Sequence, residues 1–273
     1  GDITNYSNTY NVNGFLNHMS PDDIYQDLKR IIGATAARAH RVNVIMPFLY
    51  ESRQHKRTKR ESLDCAMALR ELKLMGVKNI ITFDAHDPRV QNSIPLSGFD
   101  NFMPTYSFVK TLLKRYPDME INKDTMMVIS PDEGAMDRSV YLANNLGVDM
   151  GMFYKRRDYS KIVGGRNPIV AHEYLGCDLT GKDVIIVDDM IDTAGTLCKA
   201  AEVLMEKGAR SVRACATHGL LSGKAVERIH NSALAEVLIT DTVPHPELEN
   251  DSKITIVSMT EVFASIINKV YNY

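Results

Sequence analysis

Residues 184–201, VIIVDDMIDTAGTLCKAA, constrain the fold more than any other part of the chain. Val184, Ile185, Ile186 and Val187 form an unbroken β-branched run. A run with no polar residue at every second position suits a strand covered on both faces, as in a parallel sheet between helices. Asp188 and Asp189 then place two carboxylates at its carboxyl end. Residues 192–196 (Asp192, Thr193, Ala194, Gly195, Thr196) make a tight polar turn, and helix-forming residues at helical spacing resume over 197–207. In open α/β sheets, ligands bind outside the carboxyl ends of the strands. Backbone N–H groups at a helix start attract phosphate, and Gly195 lets the chain approach it closely. Two acids beside an anion site conflict unless they bind something else. Sugar hydroxyls or a divalent cation resolve that conflict, since both are natural partners of carboxylates. The stretch therefore reads as a cradle for a phosphorylated sugar. An ordinary strand–turn–helix with solvated acids is the competing reading. Against it, the loop lacks both the Walker A and the dinucleotide glycine patterns, yet it is dense in phosphate-compatible residues.

The rest of the chain alternates in the same way. Residues 1–19 carry no apolar period and read as loop. Ser20, Pro21 and Asp23 form a helix start, with Ser20 as N-cap and Pro21 at the first helical position. That helix ends near Ala39. Strands are expected over 42–49, 77–83, 125–129, 148–154, 211–217, 237–240 and 254–257. Helices are expected over 61–75, 106–115, 138–146 and 261–270, with another starting at Lys224. Residues 99–104 read as the crossing between two units, and 158–183, with Gly164, Gly165 and Pro168, as a mobile flap. Alternation of this kind argues for a parallel α/β architecture. The first elements are a helix and a strand with no earlier strand to pair with, which hints at further sequence upstream.

Four strand ends carry polar groups: Asp84 with His86, Asp132, Lys155 with Arg157, and residues 188–196. Cations for phosphates, carboxylates for metal or hydroxyls, and a loop able to close are the parts that phosphoryl-type transfer needs. The most basic run, RQHKRTKR at 53–60, follows a strand directly. Such runs are usually solvated loops, but this position makes a polyphosphate contact credible.

Composition excludes several classes. A formal net charge of −2 leaves no global basic field, so nucleic acid is not expected as a partner. No apolar run is long enough to span a bilayer, and no secretory signal opens the chain. The four cysteines, Cys65, Cys177, Cys198 and Cys215, lack paired spacing; reduced thiols in a cytoplasmic protein are expected.

The motif VDDMIDTAGT looks like the phosphoribosyl pyrophosphate loop shared by type I phosphoribosyltransferases and phosphoribosyl pyrophosphate synthetases. The text through LCKAAEVL is especially similar to the synthetases. Further segments resemble that family. YESRQHKR matches the stretch whose Arg-Gln pair contacts ATP, which implies Arg53 and Gln54. TFDAHD matches the strand end whose His binds magnesium with ATP, which implies His86. VISPDEGAMDRS implies Asp132 as a magnesium ligand. FYKRR resembles the start of the catalytic flap, implying transition-state cations at Lys155 and Arg157. Asp188, Asp189 and residues 192–196 would then hold ribose 5-phosphate, and ATHGLLSGKAVERI matches a segment read as structural.

The resemblance implies an α/β protein of two type I phosphoribosyltransferase-like domains with mainly parallel sheets. The first would span 1–103 and recover the closing helix at 259–273; the second would span 104–258. It also implies pyrophosphoryl transfer from ATP to ribose 5-phosphate, Mg2+ as cofactor, and a homo-oligomer, a hexamer built from dimers. A non-catalytic regulatory subunit and a phosphoribosyltransferase that consumes phosphoribosyl pyrophosphate are the other readings. The sequence departs from the family at His55, where Asp is usual, at Glu133, Ala135 and Asp137 around Asp132, and in a longer flap. The family's opening region, with a Phe-x-Asp-x-Glu stretch contacting adenine across a subunit boundary, is expected either to be replaced by the divergent residues 1–19 or to precede them.

Overall fold

The computed structural model describes Thr4, residues 9–157 and residues 169–272; for Tyr10, 155–157 and 169–172 only the backbone is described. The chain divides into two compact units, residues 1–104 with 242–244, and residues 105–241 with 245–273. The closing helix packs with the second unit, not with the first, where the sequence reading placed it.

The first unit opens with a hairpin, β1 (Thr9–Val12) and β2 (Phe15–His18), where loop was expected. The reason is local. Asn13 and Gly14 both have positive φ, 52° and 83°, as a two-residue hairpin turn with the strands' own twist requires. Then follow α1 (Pro21–Ala36), β3 (Val42–Ile45), α2 (Asp64–Leu74), β4 (Val77–Phe83) and β5 (Gly98–Phe102). The Ser20 hydroxyl accepts the Asp23 N–H at 3.2 Å, and the Asp23 carboxylate accepts the Ser20 N–H at 2.8 Å. The helix start is thus closed reciprocally, as its sequence indicates. β3, β4 and β5 form a parallel three-stranded sheet. The segment read as a crossing is therefore a strand, because Phe99 packs against the core formed by Tyr25, Ile32, Leu69, Leu72 and Ile80.

The second unit contains α3 (Thr105–Arg115), β6 (Met126–Ser130), α4 (Met136–Leu146), β7 (Asp149–Arg157), β8 (Ile169–Leu175), β9 (Asp183–Ile191), α5 (Gly195–Glu206) and β10 (Ser211–Gly219). It continues with α6 (Ala225–His230), β11 (Glu236–Thr240), β12 (Ile254–Val257) and α7 (Thr260–Asn272). Its seven strands are ordered β12-β11-β10-β9-β6-β7-β8, all parallel except the final antiparallel β7–β8 pair. Period 2 sorts the strand residues between two cores. Met127, Ile129, Val184 and Ile186 pack with Leu197, Ala201 and Leu204 of α5. Met126, Val128, Ile185 and Val187 pack with Phe108 and Leu112 of α3 and Leu142 of α4. Helices on both faces are why the β9 run needs no polar alternation. Each such side chain contributes about 1.5–3 kcal/mol on burial. Among the described residues, no helix is long and apolar enough to cross a membrane.

β8 lies inside the segment expected to be a flap; residues 158–168 of that segment lie outside the described residues. What docks β8 is Tyr174. Its hydroxyl donates to the Cys177 carbonyl at 2.8 Å, and its ring meets Phe153 edge-on at 6.0 Å. Gly151 leaves room for that ring. A Cβ there would lie 2.8 Å from Tyr174 Cε2 and 2.9 Å from Ile129 Cδ1. Gly151→Ala should therefore destabilise the protein by about 1–3 kcal/mol through overpacking. Chemical denaturation measures this, and an unchanged midpoint would show that Tyr174 does not need the glycine.

Candidate functional site

The strand order of the larger sheet reverses at β6: the chain leaves it toward β7 on one side and returns to β9 on the other. Such a switch point opens a crevice outside the carboxyl ends of the two strands. Asp132 follows β6 directly, and its carboxylate accepts the Gly134 N–H at 3.0 Å. β9 outruns its neighbour. Its register with β6 ends at Ile129–Ile186, while that with β10 continues to Gly219–Ile191. Asp188 and Asp189 are thus strand residues, not post-strand residues, but they stand beyond the β6 edge.

The two acids have different surroundings. Asp189 is buried, with Arg138 Nη1 at 3.8 Å from its Oδ1; the two side chains are only 3% and 8% exposed. Arg138 also donates to the Gly134 carbonyl at 3.2 Å. Asp188 is half-buried, and its Oδ1 accepts the Asp189 N–H at 2.9 Å. Burial first, and the Asp189 charge second, push the Asp188 carboxyl well above the usual carboxylate range. Asp132 adds to the rise and Arg138 opposes it. Asp188 thus stands among Asp189, Asp132 and Arg138, and carboxyl groups in such a corner suit hydroxyl groups or a cation. The sequence reading gave both Asp188 and Asp189 to the ligand; in the structure Asp189 also lies against Arg138. Arg138 was missed because nothing in its spacing separates a buried helical arginine from a solvated one.

After β9, Asp192 is half-buried while Thr193, Gly195 and Thr196 are exposed. The left-handed residue is Ala194, with φ 60° and ψ −1°, rather than Gly195. The role of Gly195 is space instead: nothing lies within 4 Å of where its Cβ would be. The first residues of α5 therefore present their N–H groups beside an open surface. Lys155, Arg156 and Arg157 lie within β7, paired with the β8 backbone at His172, Ala171 and Ile169. The side chains of Lys155 and Arg157 lie outside the described residues.

In the first unit, β4 is followed by Asp84, buried with φ 39°, whose N–H donates to Phe102 O at 2.9 Å. His86 follows, half-buried. It meets His55 edge-on with ring centroids 5.1 Å apart. His55 Nε2 stands 3.6 Å from Asp87 Oδ2, and Asp87 is held by Arg89 Nε at 2.9 Å. Hydrogen bonds from the Arg89 side chain, against the opposing effect of burial, bring the Asp87 carboxyl down to about 2. Burial and then His86 lower the proton affinity of His55. Arg53 is exposed, and Gln54 Nε2 donates to Ser62 O at 2.9 Å, tying the basic loop to the approach of α2. The structure thus brings His86 together with His55, Asp87 and Arg89, which the sequence reading did not join to it. Only the proximity of the ends of two parallel strands could reveal that grouping.

The raised Asp188 carboxyl has a consequence for stability. Below pH of about 3.8 it is protonated in both states. As pH rises, the unfolded chain loses that proton first while the folded chain keeps it. Stability is therefore lost as pH climbs toward the raised folded value. Substrate-free Asp188→Asn should melt like wild type at pH 4 and above it at neutral pH. Thermal melts across that range test this, and coincident curves throughout would contradict the buried-acid geometry.

Known proteins place the chain. A family model described as the N-terminal domain of ribose phosphate pyrophosphokinase matches residues 8–76, and one described as a phosphoribosyl synthetase-associated domain matches residues 164–273. A ribose-phosphate pyrophosphokinase of Caldanaerobacter subterraneus subsp. tengcongensis is 35% identical over 237 residues, which is 86% of this chain and 71% of that one. A protein of the same name from Streptomyces avermitilis is 35% identical over 250 residues, 91% of this chain and 74% of its own. The crystal structure of phosphoribosylpyrophosphate synthetase from Mycobacterium smegmatis superposes with a TM-score of 0.82 at 25% identity, covering 97% of this chain and 90% of that one. With the loop, the switch-point acids and the two α/β units described above, these matches show that the chain belongs to the ribose-phosphate pyrophosphokinase family.

Proposed function

We propose that this protein transfers the β,γ-pyrophosphoryl group of ATP to the 1-hydroxyl of ribose 5-phosphate, giving phosphoribosyl pyrophosphate and AMP. The observation that carries this reading is the order found at the switch point. A carboxyl with raised proton affinity, Asp188, precedes an open loop and the first N–H groups of α5. A sugar phosphate has the same order of groups, hydroxyls and then a phosphate. In this reading Asp188 faces the ribose hydroxyls, and Asp192 with residues 193–196 encloses the 5-phosphate, whose charge suits a helix start. Asp189 holds Arg138 in place beneath Asp188.

Arg53 and Gln54 would contact ATP, and His86 would do so from the end of β4. Magnesium would be held at Asp132 and, with the nucleotide, at His86, where it would supply charge neutralisation for the phosphate oxygens. Among the described residues no three His, Cys, Asp or Glu side chains form a ready-made metal cage. That donor set fits magnesium, which is commonly held by one or two carboxylates while substrate phosphates and water complete its shell. Lys155 and Arg157 would meet the charge that develops on the pyrophosphoryl group in transit.

An AMP-release assay with ATP, ribose 5-phosphate and Mg2+ tests the reaction. Lys155→Ala should keep its fold and much of its ATP affinity. It should lose about 10²–10³ in turnover, as expected for a cation that acts only in the transition state. Arg156→Ala should be milder. Near-normal turnover of Lys155→Ala would remove that role. A wild-type chain that binds both substrates but releases no AMP would instead be a non-catalytic companion subunit.

A further inference from the structure

The loop between β9 and α5 is held by the segment that follows β10. The Ile191 carbonyl accepts the N–H groups of Leu220 at 2.9 Å and Leu221 at 3.0 Å. The Asp192 carbonyl accepts the Ser222 N–H at 3.0 Å. The Thr193 carbonyl accepts Arg228 Nη1 at 2.7 Å. Three successive carbonyls are therefore claimed by the segment that runs from the end of β10 into α6. In a planar trans peptide the N–H of the next residue points opposite its carbonyl. Drawing these carbonyls toward residues 220–228 turns the N–H groups of residues 192–194 the other way. A carbonyl dipole facing a phosphate repels it, and an N–H dipole attracts it.

The first two carbonyls are held by backbone alone, which no side-chain substitution removes. Leu221 adopts φ 49° within that turn, a left-handed conformation uncommon for leucine. The third depends on a side chain. Arg228 is exposed on α6, and its bond to Thr193 O spans 35 residues of sequence. It lands on the residue immediately before Ala194, whose left-handed backbone turns the chain into α5.

We infer that Arg228 is a positioning residue for the sugar-phosphate loop: it takes the Thr193 carbonyl so that the loop offers amide N–H groups, not carbonyl oxygen, to an anion. This rests on the loop being the ribose 5-phosphate cradle. It gives the ATHGLLSGKAVERI segment a part in binding that its sequence alone does not suggest.

The test is calorimetric binding of ribose 5-phosphate and, separately, of ATP with Mg2+, to wild type, Arg228→Ala and Arg228→Gln, with melting temperatures alongside. Arg228→Ala should weaken ribose 5-phosphate on the order of tenfold, the scale of one charge-assisted hydrogen bond, and leave ATP unchanged. Arg228→Gln keeps a donor without the charge and should recover most of the loss. Wild type that fails to bind ribose 5-phosphate would overturn the reading of the loop itself. Wild type that binds while Arg228→Ala binds equally well would overturn only the inference about Arg228. Equal weakening of both ligands with a lowered melting temperature would make Arg228 merely structural. No recovery in Arg228→Gln would make it a distant charge rather than a clamp on the carbonyl; either result overturns the proposal.

Discussion

A strand paired on both edges and covered on both faces has nowhere to keep a charge except at its ends. β9 is such a strand: β6 and β10 flank it, and two apolar cores cover it from Val184 to Val187. Its first residue is Asp183, and its next acids are Asp188 and Asp189. Everything distinctive about the second unit follows from how those two ends are treated.

At the amino end the charge is answered. Asp183 accepts Arg210 Nε at 3.1 Å, and Arg213 lies 3.8 Å from the same oxygen. Burial opposes ionisation, yet these partners hold the carboxyl below the usual range. Nearby, Glu236 is paired with Arg115 at 2.7 Å and accepts the Tyr116 hydroxyl at 2.8 Å, while the Arg213 guanidinium lies 4.2 Å from the Tyr116 ring centre. That end of the sheet is a polar network in which both carboxylates are paired with arginines, although the Arg213 Nε is buried without a hydrogen-bond partner among the described residues. At the carboxyl end Arg138 lies 3.8 Å from Asp189 and lowers the proton affinity of Asp188, while burial, Asp189 and Asp132 raise it. The same strand thus begins in an ion-paired carboxylate and ends beside a carboxyl of raised proton affinity.

The first unit repeats the principle on a smaller sheet. Its core ends β4 at Phe83, and polar groups begin at once with Asp84, His86 and Asp87. Arg89 fixes Asp87 so firmly that the carboxylate stays ionised far into acid. His55, reached from the other parallel strand, then lies against both His86 and Asp87. This is where the chain departs from its family in sequence, and the departure sits beside a residue proposed for ATP.

Much of this was legible in the residues. The β-branched run, its acids, the small-residue loop and the following helix predicted a covered parallel strand with acids toward its carboxyl end and a helix after it. Alternation of elements predicted the α/β class, because periodicity and chain order are local properties. What was not legible depends on neighbours distant in sequence. Residues 169–175 read as flap because what makes them a strand is pairing with β7, with Tyr174 seated in a space left by Gly151, and neither shows in local sequence. Asp188 and Asp189 look alike in the sequence. In the structure Asp189 is buried 3.8 Å from Arg138 of α4, while Asp188 is half-buried. Nothing in the sequence marks Ala194 as the left-handed residue of the turn, next to the carbonyl held by Arg228. The sequence by itself determined which strand ends would be polar. Only the tertiary structure decided which partner each of those groups meets, because that depends on what packing brings within hydrogen-bonding reach.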